Sequence, residues 1–268
     1  MSLLLPQALS RRLVSLAAVP HLLVCSDYDG TLAPIAPRPD QAQLLPGARD
    51  LLTGLARLPD TRVAIVSGRA RDELRAHSGV DHPVLLVGSH GAEFPGRTPS
   101  ETQAGVQARL DALEAGMLGI CAVSPAAWVE RKPFGIAVHV REASAGDAER
   151  IQAAVRGELA GWPDVQVTEG KAVIELSLSR TRKGDAIRWL REGMDDDTCV
   201  IYLGDDVTDE TAFAALGPRD VGIKVGEGPT AATYRVASEQ AALDVLALLL
   251  QHRSAGSASG LTRSRLPP

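Results

Sequence analysis

An apolar run of strand length, Leu22-Leu23-Val24-Cys25, stops at Asp27 and Asp29, two aspartates one residue apart, with Gly30, Thr31 and Leu32 behind them. A strand buried on both faces reads as a continuous apolar run. In open α/β sheets, ligands bind just beyond the carboxyl ends of such strands. Side chains two apart on an extended segment point to one side, so Asp27 and Asp29 are expected to converge at a sheet's active edge. Two carboxylates that close repel, and they call for a cation or a shared proton. On its own the stretch equally suits a solvated acidic turn.

The same design recurs along the chain. Gly47 to Leu58 is amphipathic, with Ala48, Leu51, Leu52 and Leu55 at helical spacing. Arg62 to Val66 is then a short strand that delivers Ser67-Gly68-Arg69 to a helix from about Ala70. A hydroxyl, free amides and a helix N-terminus facing one point make an anion site; a plain N-cap serine is the alternative. Val84 to Val87 is a third buried strand, ending in Gly88-Ser89-His90-Gly91. His90 is either a structural hydrogen-bonder or a substrate contact. Lys183-Gly184 opens another helix, and a surface lysine would be the ordinary reading. Cys199 to Leu203 is a further strand, followed by Gly204-Asp205-Asp206-Val207-Thr208-Asp209-Glu210. A strand-end carboxylate cluster facing Asp27 and Asp29 is what a hard, oxygen-seeking Mg²⁺ requires. Val221 to Val225 is a last core strand, and Ala241 to Leu250 a closing helix.

From about Ala104 the texture changes. Val106 to Leu118 and residues 146–160 read as helices, and Trp128–Lys132, Ile136–Arg141, Val165–Val167 and Ala172–Leu176 as strands. Short turns between strands point to a small α/β insert with a largely antiparallel sheet. Alternation puts Val129, Ile136, Val138, Val140, Ile174 and Leu176 under the two helices, and Glu130, Lys132, His139, Arg141 and Glu175 on the opposite face. That face is either solvated, as is common in antiparallel sheets, or built for a polyol whose hydroxyls both donate and accept.

Composition narrows the function classes. Net charge is −5 and aromatics are 3%, which argues against nucleic acid, since phosphate contacts need clustered Lys and Arg and single strands need stacking platforms. Hydrophobic content of 45% is ample for a core. Cys25, Cys121 and Cys199 show no metal spacing and suit a reducing cytoplasm. Leu3-Leu4-Leu5 is cut off by Pro6, and Arg11-Arg12 follow the apolar residues instead of preceding them, opposite to a signal peptide. Ala241 to Leu250 is too short to span a bilayer. A cytoplasmic monomer without a membrane or nucleic-acid partner is expected. Residues 1–19 are expected to form a helix, and the small, polar tail over 253–268 to be disordered.

Asp27-Tyr28-Asp29-Gly30-Thr31-Leu32 resembles the first motif of the haloacid dehalogenase superfamily of phosphotransferases, and with Ala33-Pro34-Ile35 it resembles the trehalose-6-phosphate phosphatase family. Ser67, Lys183 and the Gly204–Glu210 stretch are similar to the second, third and fourth motifs, in order. Glu130-x-Lys132 with His139, and Glu169-Gly170-Lys171 with Glu175, are similar to that family's sugar-reading cap, although Ser177 and Leu178 stand where a basic residue and a proline are common. The resemblance covers roughly residues 20–250.

It implies an α/β fold: a doubly wound, mainly parallel sheet core over 1–104 and 179–252, with an inserted α/β cap over 105–178. It implies Asp27 as nucleophile, Asp29 as general acid/base, and Ser67 and Lys183 on the transferring phosphoryl group. Mg²⁺ would be held by Asp27, Asp205 and the Asp29 carbonyl, with Asp206 and Asp209 orienting its waters. Arg69, His90, Glu130, Lys132, His139 and Glu175 are the implied contacts to trehalose 6-phosphate. A sibling phosphatase for sucrose phosphate or mannosyl-phosphoglycerate, and a non-catalytic sugar-phosphate sensor, are the alternatives.

Overall fold

The computed structural model describes residues 5–96, 103–170 and 172–263. In chain order the elements are α1 (Gln7–Ala17), β1 (Leu22–Ser26), α2 (Ala48–Ala56), β2 (Thr61–Val66), α3 (Arg71–Ser78), β3 (Leu85–Val87), α4 (Gln103–Cys121), β4 (Trp128–Lys132), β5 (Gly135–His139), α5 (Ala145–Glu158), β6 (Gln166–Gly170) and β7 (Val173–Ser177). They continue with α6 (Lys183–Arg191), β8 (Cys199–Gly204), α7 (Glu210–Phe213), β9 (Val221–Val225), β10 (Tyr234–Val236) and α8 (Glu239–Arg263).

Six strands form one sheet in the order β10-β9-β8-β1-β2-β3, and every pairing in it is parallel. Alternation along β1 explains why it sits centrally. Leu22 and Val24 join the core under α1, α2 and α8, while Leu23 and Cys25 join the opposite core under α6 and α7. A strand buried on both faces can only be an inner one. The register pairs Ser26 with Ile65 and Leu203, so the segments after β1, β2 and β8 leave the sheet at one edge.

Four further strands, β4-β5-β7-β6, make a second, wholly antiparallel sheet. Ile136, Val138, Ile174 and Leu176 pack with Leu110, Leu113, Met117, Ile151 and Val155 of α4 and α5. That leaves one sheet face free of helices.

One element is unforeseen and two expectations need correction. Strand β10 has no forecast in the sequence; at three residues with a central arginine it is too short for a periodic signal. The strand expected at Val165–Val167 lies further on, at Gln166–Gly170. The tail expected to be disordered from 253 is helical through Arg263, because α8 does not stop at Leu250. Extending an existing helix gains one hydrogen bond per residue without a new nucleus. Arg253 anchors the extension: it is buried and donates to Thr61 Oγ1 and to the carbonyls of Val19, Pro20 and Asp60. Residues 1–4 of the expected first helix and 264–268 of the tail lie outside the described residues. Among the described residues no helix is long and apolar enough to cross a membrane.

Candidate active site

The end of β1 is locked to β8 by the Asp27 amide, which donates to the Leu203 carbonyl at 2.8 Å. Asp27 is only 5% exposed. One of its carboxylate oxygens accepts from the Tyr28 amide at 2.7 Å, and the other lies 2.9 Å from Lys183 Nζ. Lys183, the first residue of α6, is itself buried and lies 2.7 Å from Asp209 Oδ1. That same oxygen accepts from the Tyr202 hydroxyl at 2.6 Å. Asp209 Oδ2 accepts the amides of Asp205 and Asp206 at 3.0 and 2.9 Å. Asp209 is thus fully buried and saturated by four donors. It folds the loop after β8 and holds Lys183 against Asp27. Asp206 caps the Val207 amide at 2.8 Å and, unlike Asp209, lines the cleft.

Burial opposes charge on every group here, so the partners decide each pKa. Desolvation, with Asp209 and Asp205 nearby, pushes the Asp27 carboxyl well above the usual range although Lys183 pulls it down. Burial works against the Lys183 ammonium, but Asp209 and Asp27 more than offset it and raise its pKa. Asp209 is held below the usual range against its own burial, chiefly by Lys183. Three buried acids, Asp27, Asp205 and Asp209, therefore stand against two buried ammoniums, Lys183 and Lys224.

That imbalance fits a divalent cation. One oxygen from each of Asp27, Asp205 and Asp209 lies within 4.8 Å of the others, an all-oxygen donor set. Gly30 makes the approach of Asp205 possible: it has φ of +78°, and a Cβ there would lie 2.3 Å from Asp205 Oδ2. With Asp209 saturated, Asp27 and Asp205 are the carboxylates best disposed to bind metal directly. Lys224, buried on β9, donates to the Asp205 carbonyl and braces the loop from behind.

Asp29 turns to the other side of the cleft. Its oxygens accept from Arg69 Nε and Nη2, both at 2.7 Å. Arg69 is 6% exposed and also donates to Glu73 and to the Pro39 carbonyl, both at 2.8 Å. Arg69 thus orients Asp29 and at the same time lines the cleft, where a substrate contact is expected. Ser67 is buried at the end of β2 and accepts the Arg69 amide at 3.1 Å; it is not the N-cap of α3, which is Ala70. His90 follows β3 in a tight turn in which Ser89 and His90 have φ of +49° and +55°. Such conformations cost energy in non-glycine residues. Here the turn lays the imidazole on Gly68, where a Cβ would lie 2.6 Å from the ring. Burial lowers the His90 pKa to about 4, so the ring is neutral.

The helix-free face of the second sheet closes the cleft from above. Lys132 Nζ donates to Glu175 Oε2 at 2.6 Å, and His139 Nε2 lies 2.7 Å from Glu130 Oε2. Burial opposes charge on all three of Glu175, Glu130 and Lys132, but Lys132 holds Glu175 low, His139 holds Glu130 low, and Glu175 raises Lys132. His90 Nε2 reaches across to Glu175 at 4.0 Å. One cleft is lined by Asp27, Asp29, Ser67, Arg69, His90, Lys183, Asp205 and Asp206 from below, and by Glu130, Lys132, His139 and Glu175 from above. Asp209 alone of the expected site residues stays out of its lining. Glu169 faces away and pairs with Arg156 of α5 at 2.7 and 2.8 Å, because alternation gives the cleft side of β6 to Thr168 and Gly170. Lys171 lies outside the described residues.

Sequence reasoning missed Tyr202 and Lys224. Both carried a signal: a hydroxyl and an ammonium inside apolar strand runs, where a buried polar group needs a partner.

The trehalose-phosphatase family model matches residues 25–240. A protein of Oryza sativa subsp. japonica described as probable trehalose-phosphate phosphatase 9 is 32% identical over 250 residues, covering 81% of this chain and 66% of that protein. The trehalose-phosphate phosphatase of Mycobacterium ulcerans (strain Agy99) is 37% identical over 235 residues, covering 82% of this chain and 59% of that protein. The chain thus spans about 59–66% of the length of these relatives. The solved C-terminal domain of C. albicans trehalose-6-phosphate phosphatase superposes with a TM-score of 0.77 at 23% identity, covering 94% of this chain and 99% of that one, which shows a shared haloacid dehalogenase-type fold. The family model covers all four strand-end segments and the second sheet that faces them, and with that the chain belongs to the trehalose-phosphatase family.

Proposed function

We propose that this chain hydrolyses trehalose 6-phosphate to trehalose and inorganic phosphate through a phosphorylated Asp27. The reading divides the chain into a core over 1–104 and 179–252 and a cap over 105–178. The observation that carries it is the single cleft in which the Asp27–Lys183 pair faces Glu130, Lys132 and Glu175. A carboxylate nucleophile splits ester hydrolysis into two displacements. An Asp27 oxygen attacks phosphorus, and the bond from phosphorus to the sugar oxygen breaks. Asp29, which enters this step protonated, gives that oxygen a proton. Asp29 then takes a proton from a water whose oxygen attacks phosphorus, and the Asp27–phosphorus bond breaks to release phosphate. Lys183 and Ser67 stabilise charge on the transferring group, where positioning and electrostatics supply most of the catalysis. Asp27, Asp205 and the Asp29 carbonyl would hold Mg²⁺, which neutralises charge on the phosphoryl oxygens when bound. Lys132, Glu130 and Glu175 read the sugar hydroxyls, and neutral His90 lies between the two halves of the site.

The deciding experiment measures phosphate release from trehalose 6-phosphate, glucose 6-phosphate and sucrose phosphate, with and without Mg²⁺. Preference for trehalose 6-phosphate and dependence on the cation are expected. Preference for another sugar phosphate would make the chain a sibling phosphatase, and absence of turnover on all three would leave it a binder.

A further inference from the structure

Two adjacent residues of the core, Arg38 and Pro39, grip opposite sides of the cleft. They belong to the segment between β1 and α2, which rises toward the cap as a single helical turn over Pro39–Gln41. Pro39 points inward: its carbonyl accepts from Arg69 Nη2 at 2.8 Å, and Arg69 holds Asp29. Arg38 points upward, with its guanidinium carbon 5.1 Å from the centroid of Trp128, on the first residue of β4. This is within the roughly 6 Å at which a cation is drawn to an aromatic face. Trp128 stacks on His139 with centroids 3.9 Å apart and planes 7° from parallel. His139 in turn lies 2.7 Å from Glu130. Beside this stack lie Asp40, 3.7 Å from Arg38, and Glu130.

We propose that Arg38 and Trp128 are a latch between core and cap, and that as positioning residues they set the pose of His139 and Glu130 for the sugar. The assignment of a sugar to that face rests on the function proposed above. Proline on either side of Arg38 limits the backbone freedom of the segment, so the guanidinium is presented to the cap by a stiff support. Arg38 is 45% exposed and packs into no core, so its loss should act on cap placement and leave the fold intact.

The test is a double-mutant cycle on kcat/KM with Arg38→Ala, Trp128→Ala and the pair, using trehalose 6-phosphate and p-nitrophenyl phosphate. Each single change should cost about tenfold on the sugar phosphate, and the pair little more, as for residues acting through one contact. Hydrolysis of p-nitrophenyl phosphate, which needs no cap, should stay within about twofold. Arg38→Lys keeps the cation and should recover most of the loss, and Trp128→Phe, which keeps a ring, replaces Trp128→Ala if that variant does not fold. Additive losses, or equal losses on both esters, would overturn the latch. A second measurement is independent of substrate. With Trp162 and Trp189 changed to Phe, Trp128 is the remaining tryptophan, and Arg38→Ala should raise its acrylamide quenching about twofold. Unchanged quenching would also refute the contact. If the wild type prefers another sugar phosphate, the substrate reading fails, and the same cycle on that ester still judges the latch.

Discussion

The two sheets of this molecule use charge in different ways. Below the cleft, Asp27, Lys183 and Asp209 are each no more than 5% exposed, and Tyr202 and two backbone amides saturate Asp209. Above it, Glu130, Lys132, His139 and Glu175 form simple pairs, with side chains 11–18% exposed. The lower groups are fixed by buried partners. On the function proposed above, the upper pairs exchange partners for sugar hydroxyls. On that proposal the difference separates tasks: the core sees a phosphoryl group, and the cap sees what carries it.

The largest test of that division is at the nucleophile. Asp27→Asn keeps volume and removes the attacking charge, so hydrolysis of both trehalose 6-phosphate and p-nitrophenyl phosphate should fall by at least about 10⁴-fold, as when a covalent nucleophile is deleted. Phosphate release from protein shown free of wild type is the measurement, and substantial residual turnover would break the covalent mechanism.

Next comes the cation. Chelation should stop turnover of both esters and added Mg²⁺ should restore it, while Asp205→Ala weakens Mg²⁺ binding by about 10–100-fold, as expected when a charged ligand is lost. Calorimetric titration of Mg²⁺ checks this without reference to activity. Equal Mg²⁺ affinity in the variant would show that Asp205 is not a ligand.

Changes in the cap should be smaller and selective. Losing one hydrogen bond to a charged group costs roughly 1.5–3 kcal/mol, or about 10–100-fold in rate. Glu130→Ala, Lys132→Ala and Glu175→Ala should each lower kcat/KM for trehalose 6-phosphate by about that much and leave p-nitrophenyl phosphate nearly unchanged. A parallel fall on both esters would mean that the cap residues support the chemistry and do not read the sugar.

The smallest effect is on stability, at the histidine between the halves. Burial lowers the His90 pKa from its ordinary 6.5 to about 4. The unfolded chain therefore binds the extra proton between these values, and the folded chain resists it. Stability should be highest above about pH 6.5 and fall as pH drops toward 4, by about 2 kcal/mol after allowing for the ring's partial exposure. In His90→Asn this contribution should vanish, which Tm measured against pH would reveal. An unchanged slope would place His90 in a more solvated setting.

Much of the fold and the site was legible in the sequence, for reasons that differ by residue. Leu22–Cys25 reads as an inner strand because two-sided burial leaves no polar position in the run. Asp27, Ser67 and Asp205 stand just past such runs, so their convergence at one sheet edge follows from parallel topology alone. The alternation in β4, β5 and β7 likewise separates a packed face from a charged one, because successive side chains of a strand point to opposite sides.

Direction of the longer side chains was not legible. Arg69 is one residue past the Ser67-Gly68 turn and looks like a phosphate contact, yet it lies on Asp29, because Glu73 and the Pro39 carbonyl complete a buried site for its guanidinium. Asp209 looks like one more cleft acid, yet it is withdrawn, because Lys183, Tyr202 and two amides need an acceptor behind the cleft. The tail beyond 253 is small and polar in composition, yet helical through Arg263, because the loops before β1 and β2 supply acceptors for Arg253. Local pattern by itself determined the strands, the face each residue occupies and the edge where the chemistry gathers. Which partner each buried charge takes was decided only by the tertiary structure, since a desolvated ion is stable solely beside groups that chain distance does not reveal.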